Sequence, residues 1–278
     1  MTDTWSPNRI EALEQLLTER DGRILDSLES FRVLSTRQIQ RLHYPAGLGG
    51  IHATVPTATR LAIRTLLRLE GHGFIARLER RVGGKVRGSA ATTWHLAATG
   101  ERLLRARRAE PGRRRYVEPS RSFLTHTLAV AEVAVGLIER HHGGQLELLT
   151  VQTEPTARRT YSGPSGPVTL KPDLYAVIAN SDYESHAFIE VDRGTEHLPT
   201  VLGKCRTYLQ YRQTGTEQAA HDVFPIVIWA VPDERRAGQL RAALRQDSSL
   251  PPDLFTICTH ETVLDVLATS LTPKGGTP

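Results

Sequence analysis

Two stretches decide how the second half of this chain is read: Lys171-Pro172-Asp173-Leu174-Tyr175-Ala176 and Ala187-Phe188-Ile189-Glu190-Val191-Asp192. Side chains alternate across a strand. In the second stretch Ala187, Ile189 and Val191 therefore share an apolar face suited to a core, and Glu190 and Asp192 share the other. In the first, Asp173 lies with Lys171 and Tyr175, opposite Leu174 and Ala176. Pairing of the two strands brings Asp173, Glu190 and Asp192 together. Adjacent carboxylates raise one another's pKa unless a cation neutralises them. An oxygen-rich cluster suits Mg2+ or Mn2+, and such a metal orients water for phosphodiester displacement. A plainer alternative stands beside this one. Asp173 is then a strand-start residue, and Glu190 and Asp192 pair with Arg193, Arg206 or Lys171.

Working outward from these stretches, the spacing predicts a long apolar helix over 122–141 and strands over 146–153, 168–178 and 186–192. A helix over 198–212, a strand over 224–231, a helix over 234–244, a strand over 254–259 and a helix over 261–268 follow. The order α-β-β-β-α-β-α-β-α is that of a mixed sheet flanked by helices, an α/β-type half in a chain that is α+β overall.

The first half reads differently. Helices are expected over 8–19 and 22–31. Ser35 with Gln38 three residues on is a capping-box signature for a short helix ending near His43. The next helix runs over 57–70 and is closed by Gly71 and Gly73. A strand over 74–82, a Gly83-Gly84 turn, a strand over 92–96 and a helix over 99–107 complete it. Three helices followed by a hairpin is the order of a winged helix-turn-helix, whose third helix enters the major groove. Along that helix Arg60, Arg64 and Arg68 form one stripe, with Ala62, Leu66 and Leu69 opposite. Arg80, Arg81, Lys85 and Arg87 surround the expected hairpin tip, where a wing touches the DNA backbone or minor groove. Residues 44–56 make a longer connection than such domains usually have: either a DNA-contacting loop or a different helix arrangement.

Charge is distributed to match. Residues 1–121 hold 22 Lys/Arg against 12 Asp/Glu, and residues 122–278 hold 13 against 18. A net of +10 suits a polyanionic partner, because neutralised phosphates release counterions, and double-stranded DNA is the partner expected. Most basic residues are arginine, a bias that a GC-rich genome also produces. Cys205 and Cys258 are the only cysteines, too few and too distant for a disulfide framework or a zinc site. No apolar run reaches the roughly 20 residues that span a bilayer, and the first residues do not read as a secretory signal. A cytoplasmic protein, without a membrane partner, is the expectation. The expected domains are 1–107, a basic linker over 108–121, a second domain over 122–271 and a disordered tail over 272–278.

The second half resembles the PD-(D/E)XK nuclease superfamily. Pro172-Asp173 matches the PD element and Glu190-Val191-Asp192 the (D/E)XK element. The resemblance implies a restriction-endonuclease-like fold, with Asp173, Glu190 and the Val191 carbonyl as ligands of Mg2+ or Mn2+. Glu132, alone among apolar neighbours, matches the helix acid that some members add as a further ligand. Asp192 stands where the superfamily has Lys. Lys204, with Tyr208 one turn later, is the substitute on the following helix. His126 reads as a hydrogen-bonded helix residue rather than a ligand.

Phe123-Leu124-Thr125-His126, Ile189-Glu190-Val191-Asp192-Arg193-Gly194-Thr195-Glu196 and the order of the two halves resemble the replication-relaxation family of plasmids and mobile elements, over roughly residues 22–244. That resemblance implies a DNA-binding role in plasmid replication or relaxation, in the company of replication or mobilisation proteins. Tyr161 and Tyr175 lack the histidine cluster of a covalent tyrosine mechanism. Three functions stay open: a DNA-binding protein whose nuclease-like domain is degenerate, a metal-dependent endonuclease, and a regulator with a sensing or dimerisation domain. A homodimer is common for winged-helix proteins, but no coiled-coil heptad argues for one here.

Overall fold

The structure is a computed structural model that describes residues 7–47, 50–78, 92–110, 121–163 and 166–271. The chain divides into two compact units, Met1–Ala131 and Glu132–Pro278. With about ten helices and a mixed five-stranded sheet among the described residues, the fold is α+β, as expected.

The first unit opens with α1 (Pro7–Glu14) and α2 (Glu19–Phe31). The break expected near 20–21 thus lies earlier, with the first helix ending at Glu14 and the second beginning after Thr18. That residue caps α2 through a full capping box with Asp21, satisfying amide groups that a continuous helix would have satisfied internally. Strand β1 (Leu34–Ser35) leads into α3 (Thr36–His43), and the Ser35–Gln38 capping box is present. Helix α4 (Val55–Gly71) follows, capped by Thr54 and burying Ala58, Ala62, Leu66 and Leu69. The described residues of the long connection before it are held to one another. Ala46 bridges His52, and the Tyr44 and His52 rings stack. At Gly50 a Cβ would lie 2.7 Å from the Ala46 backbone.

Strands β2 (Ile75–Arg77) and β3 (Thr93–Leu96) complete a three-stranded antiparallel sheet in the order β1-β3-β2. The Gly83-Gly84 turn and the wing residues Arg80, Arg81, Lys85 and Arg87 lie outside the described residues. Trp94 is buried in β3 and donates its indole N–H to Thr36 Oγ1 at 2.9 Å. Helix α5 (Ala98–Arg107) packs where only glycine fits: a Cβ on Gly100 would lie 2.2 Å from the Phe74 carbonyl oxygen. Helix α6 (Arg121–His142) runs across the division between the units. Most of the basic linker and the tail from 272 lie outside the described residues.

In the second unit β4 (Glu147–Thr153) enters the large sheet. A hairpin of β5 (Arg159–Gly163) and β6 (Gly166–Leu170) then forms its own two-stranded sheet. The sequence pattern merges β6 with β7 (Leu174–Ala179), but Lys171-Pro172-Asp173 separates them. Pro172 has no N–H to give a ladder, so the chain leaves one sheet and enters the other there. Strand β8 (Glu184–Val191), α7 (Leu198–Gln213), the short α8 (Thr216–His221), β9 (Ile226–Val231), α9 (Glu234–Gln246), β10 (Phe255–Thr259) and α10 (Val263–Thr269) follow. Helix α8 and strand β5 here, and the short β1 in the first unit, are elements the pattern missed. The large sheet runs β10-β9-β8-β7-β4, with β4, β7 and β8 antiparallel and β8, β9 and β10 parallel. On one face Tyr175, Phe188, Val227 and Trp229 pack against Val201, Cys205, Tyr208 and Tyr211 of α7 and Ala237 and Leu240 of α9.

Gly100→Ala is expected to destabilise the protein by about 2 kcal/mol or more, because the clash is with backbone and not with a movable side chain; urea unfolding measures it. His43, the last residue of α3, bonds Ser27 Oγ of α2 through Nε2 at 3.0 Å. Burial, with Arg23 and Arg20 nearby, lowers it from 6.5 to about 4. A depressed histidine contributes stability above its unfolded value that is lost as pH falls toward the folded one. Acidification from pH 6.5 to about 4 should therefore weaken the fold, and His43→Gln should flatten that segment of the stability curve.

Candidate functional site

Strand register builds the centre of the second unit. Leu174 lies opposite Ile189, so one step back Asp173 lies beside Glu190. Asp173 Oδ2 accepts the Val191 N–H at 2.8 Å, which continues the β7–β8 ladder with a side chain in place of backbone. Glu190 sits on the α7-facing side of the sheet and is only 2% exposed. Its Oε1 accepts the Tyr208 hydroxyl at 2.6 Å, and its Oε2 lies 3.5 Å from Lys204 Nζ. Lys204 also donates to Glu196 at 3.0 Å. Lys204 and Tyr208 are one turn apart on α7, so a single helix face serves one carboxylate. Trp229, opposite Glu190 on β9, buries its indole N–H without a partner.

These neighbours act on Glu190 in opposite senses. Burial first, then the Asp173 charge, raises its pKa above the ordinary carboxylate range, while Lys204 and Tyr208 pull it back. Burial alone would lower Lys204, but Glu190, Glu196 and Asp173 more than offset this. The Tyr208 phenol is raised by burial and by Glu190.

Asp192 leaves the expected trio of acids. Its Oδ2 accepts Arg236 Nε at 2.7 Å and its Oδ1 the Gly194 N–H at 2.7 Å. Arg236 also donates to the Glu196 carbonyl at 2.6 Å. The partners expected for Glu190 and Asp192 were Arg193, Arg206 or Lys171; the ones in place are Lys204 and Arg236, both on helices over the sheet. Arg206 instead pairs with Asp247. Glu132 is exposed on α6. Among the described residues no three His, Cys, Asp or Glu side chains form a group able to hold a metal. Val191 enters as an amide donor. His126 lies in α6 on the amino-terminal side of the division.

Tyr175 does have a histidine partner. Its hydroxyl lies 2.7 Å from His186 Nδ1, whose Nε2 lies 2.6 Å from Glu184. Tyr175 is nevertheless buried, with the Arg159 guanidinium over its ring, and burial raises its pKa. It packs the sheet and is no exposed nucleophile. No local pattern marks this pair, which the pairing of β7 with β8 brings together.

In the first unit Arg60, Arg64 and Arg68 are exposed on α4, yet they differ. Arg68 Nη2 binds both oxygens of Asp21, at 2.7 and 2.6 Å, and its Nη1 reaches the Leu16 carbonyl. Asp21 is 1% exposed. Its burial raises the carboxyl pKa, and Arg68 with Thr18 more than reverses that. Arg68 therefore ties α4 to the start of α2. No ion pair joins Arg60 or Arg64 to another described residue.

The model of the replication-relaxation family matches residues 25–227, which run from α2 into β9. The chain belongs to the replication-relaxation family. No curated protein and no solved structure matched it. Family membership connects the chain to the replication and relaxation of plasmids or mobile elements. No helix among the described residues is long and apolar enough to cross a membrane.

Glu190 makes this family member's second unit sensitive to alkali. A carboxyl whose folded pKa is raised contributes stability below its unfolded value, about 4.5, that is lost as pH rises through the folded value. Urea midpoints for the second unit should fall between about pH 5 and about pH 8, and Glu190→Gln should remove most of that fall.

Proposed function

We propose that the protein binds double-stranded DNA during plasmid or mobile-element replication, gripping it with the first unit as a winged helix-turn-helix. What carries this reading is the pair Arg60 and Arg64: exposed on α4 and free of ion pairs to other described residues. Unpaired guanidiniums on one helix face match phosphates and guanine edges. The order α2-β1-α3-α4-β2-β3, with β1 and β2 both on β3, supports a winged-helix arrangement with α4 as the groove helix. Arg68 has a structural role instead. Replication or mobilisation proteins and a second copy of the chain are the further partners of this reading.

The second unit supports a nuclease-like fold whose centre is internally neutralised. Asp173 and Glu190 are the kind of oxygen pair that Mg2+ or Mn2+ takes. They do not fit a metal as they stand, because Glu190 is buried with Tyr208 and Lys204 on its two oxygens. The Lys204 ammonium supplies the positive charge that a metal would bring. A second reading, metal-dependent nicking of DNA, is favoured by Asp173 and Glu190 facing each other with Lys204 on the following helix. It requires Lys204 to swing aside.

The full chain should retard duplex DNA in gels, with affinity falling steeply as salt rises. Arg60→Ala/Arg64→Ala should weaken binding by about tenfold or more, at about 1–3 kcal/mol per contact, with the fold intact. Arg68→Ala should lower stability first, by leaving Asp21 buried and unpaired. Unchanged retardation by the Arg60/Arg64 variant removes α4 as the groove helix. Supercoiled plasmid incubated with Mg2+ or Mn2+ should stay intact; nicking that Asp173→Ala/Glu190→Ala abolishes replaces this reading with the second.

A further inference from the structure

The outer face of α4 carries more than arginine. Arg60, Ile63, Arg64 and Leu67 lie at i, i+3, i+4 and i+7, which on a helix makes one contiguous patch. Ile63 is 40% and Leu67 47% exposed. Leu61 and Val55 on the same helix, and Ile51 just before it, are also exposed. Single exposed apolar residues are ordinary, but a cluster this local marks a binding surface.

We propose that this patch reads base sequence in the major groove, with Arg60 and Arg64 on guanine edges and Ile63 and Leu67 against thymine methyl groups. This rests on the DNA-binding reading above and specifies what is recognised. The thymine methyl is the apolar feature of the major groove, and guanine O6 and N7 are its best guanidinium acceptors. One patch offering both chemistries in alternation matches that groove. A second copy of the chain is a poorer occupant, because facing α4 helices would bring four guanidiniums together without carboxylates between them. Arg60 and Arg64 are four residues apart, about 6 Å along the axis. That spans roughly two base-pair steps of 3.4 Å. The preferred site therefore holds two guanines about two steps apart, with thymine between or beside them.

The test uses the full-length protein and a pool of random-sequence duplexes, from which the tightest site is selected at near-physiological salt. That site is then remade with deoxyuridine for thymine, which deletes only the methyl groups. Wild-type affinity should drop by about fourfold per contacted methyl, and Ile63→Ala/Leu67→Ala, on an exposed face, should show less than about a twofold difference between the two duplexes. Several results overturn the proposal while DNA binding itself survives. One is a selected site without thymine. Another is equal affinity of the wild type for both duplexes. A third is a double variant that loses self-association in sedimentation but keeps its DNA affinity, which assigns the patch to a second copy. Failure to bind any duplex instead defeats the DNA-binding reading, and this one with it.

Discussion

Moving a carboxylate out of water costs several kilocalories per mole unless a cation and hydrogen-bond donors accompany it. That requirement organises both units of this protein. Asp21 is met by Arg68 and Thr18, Glu190 by Lys204 and Tyr208, Asp192 by Arg236, and Glu217 by Arg159 and Tyr211. Each pairing ties a helix or hairpin to another element. Arg68 joins α4 to α2, Lys204 joins α7 to β8, Arg236 joins α9 to the end of β8, and Arg159 joins the β5–β6 hairpin to α8. Removing one partner from such a pair is costly, because the other is left charged and buried.

The same requirement sorts ionisable residues by role. A cation committed to a buried acid is poorly available to a ligand. Arg68 and Arg236 are committed in this way, while Arg60 and Arg64 are not. The difference is invisible in residue type and separates the arginines of α4 that hold the fold from those left facing solvent. At Glu190 the effect is more specific. Lys204 and Tyr208 occupy the two carboxyl oxygens of Glu190, so the centre of the sheet is closed as it stands.

Much of this was legible in the sequence. The mixed sheet of the second half followed from helical and strand periodicity, the Ser35–Gln38 cap from its spacing, and the buried side of α4 from Ala62, Leu66 and Leu69. The juxtaposition of Asp173 with Glu190 followed from alternation along two strands, and Lys204 with Tyr208 from their one-turn separation on α7. What escaped was long-range. Strand β6 was fused with β7 because Pro172 was read as part of a strand, and its hairpin partner β5 was missed. The break between the first two helices was expected near 20–21 and falls at 15–18 instead, because Thr18 and Asp21 look like any polar pair until they cap. Arg236 and Asp192 are too far apart in the chain for pattern to join them.

Sequence alone determined the local terms: which residues alternate, which cap, which stripe of a helix is apolar, and where positive charge accumulates. These depend on neighbours within a few residues, and backbone geometry fixes such neighbours regardless of the rest of the fold. Only the tertiary structure decided which charges neutralise one another and which remain free. Ion pairing depends on distance and burial in space, and residues 44 or 47 positions apart, such as Arg236 and Asp192 or Arg68 and Asp21, become neighbours only when the chain has folded.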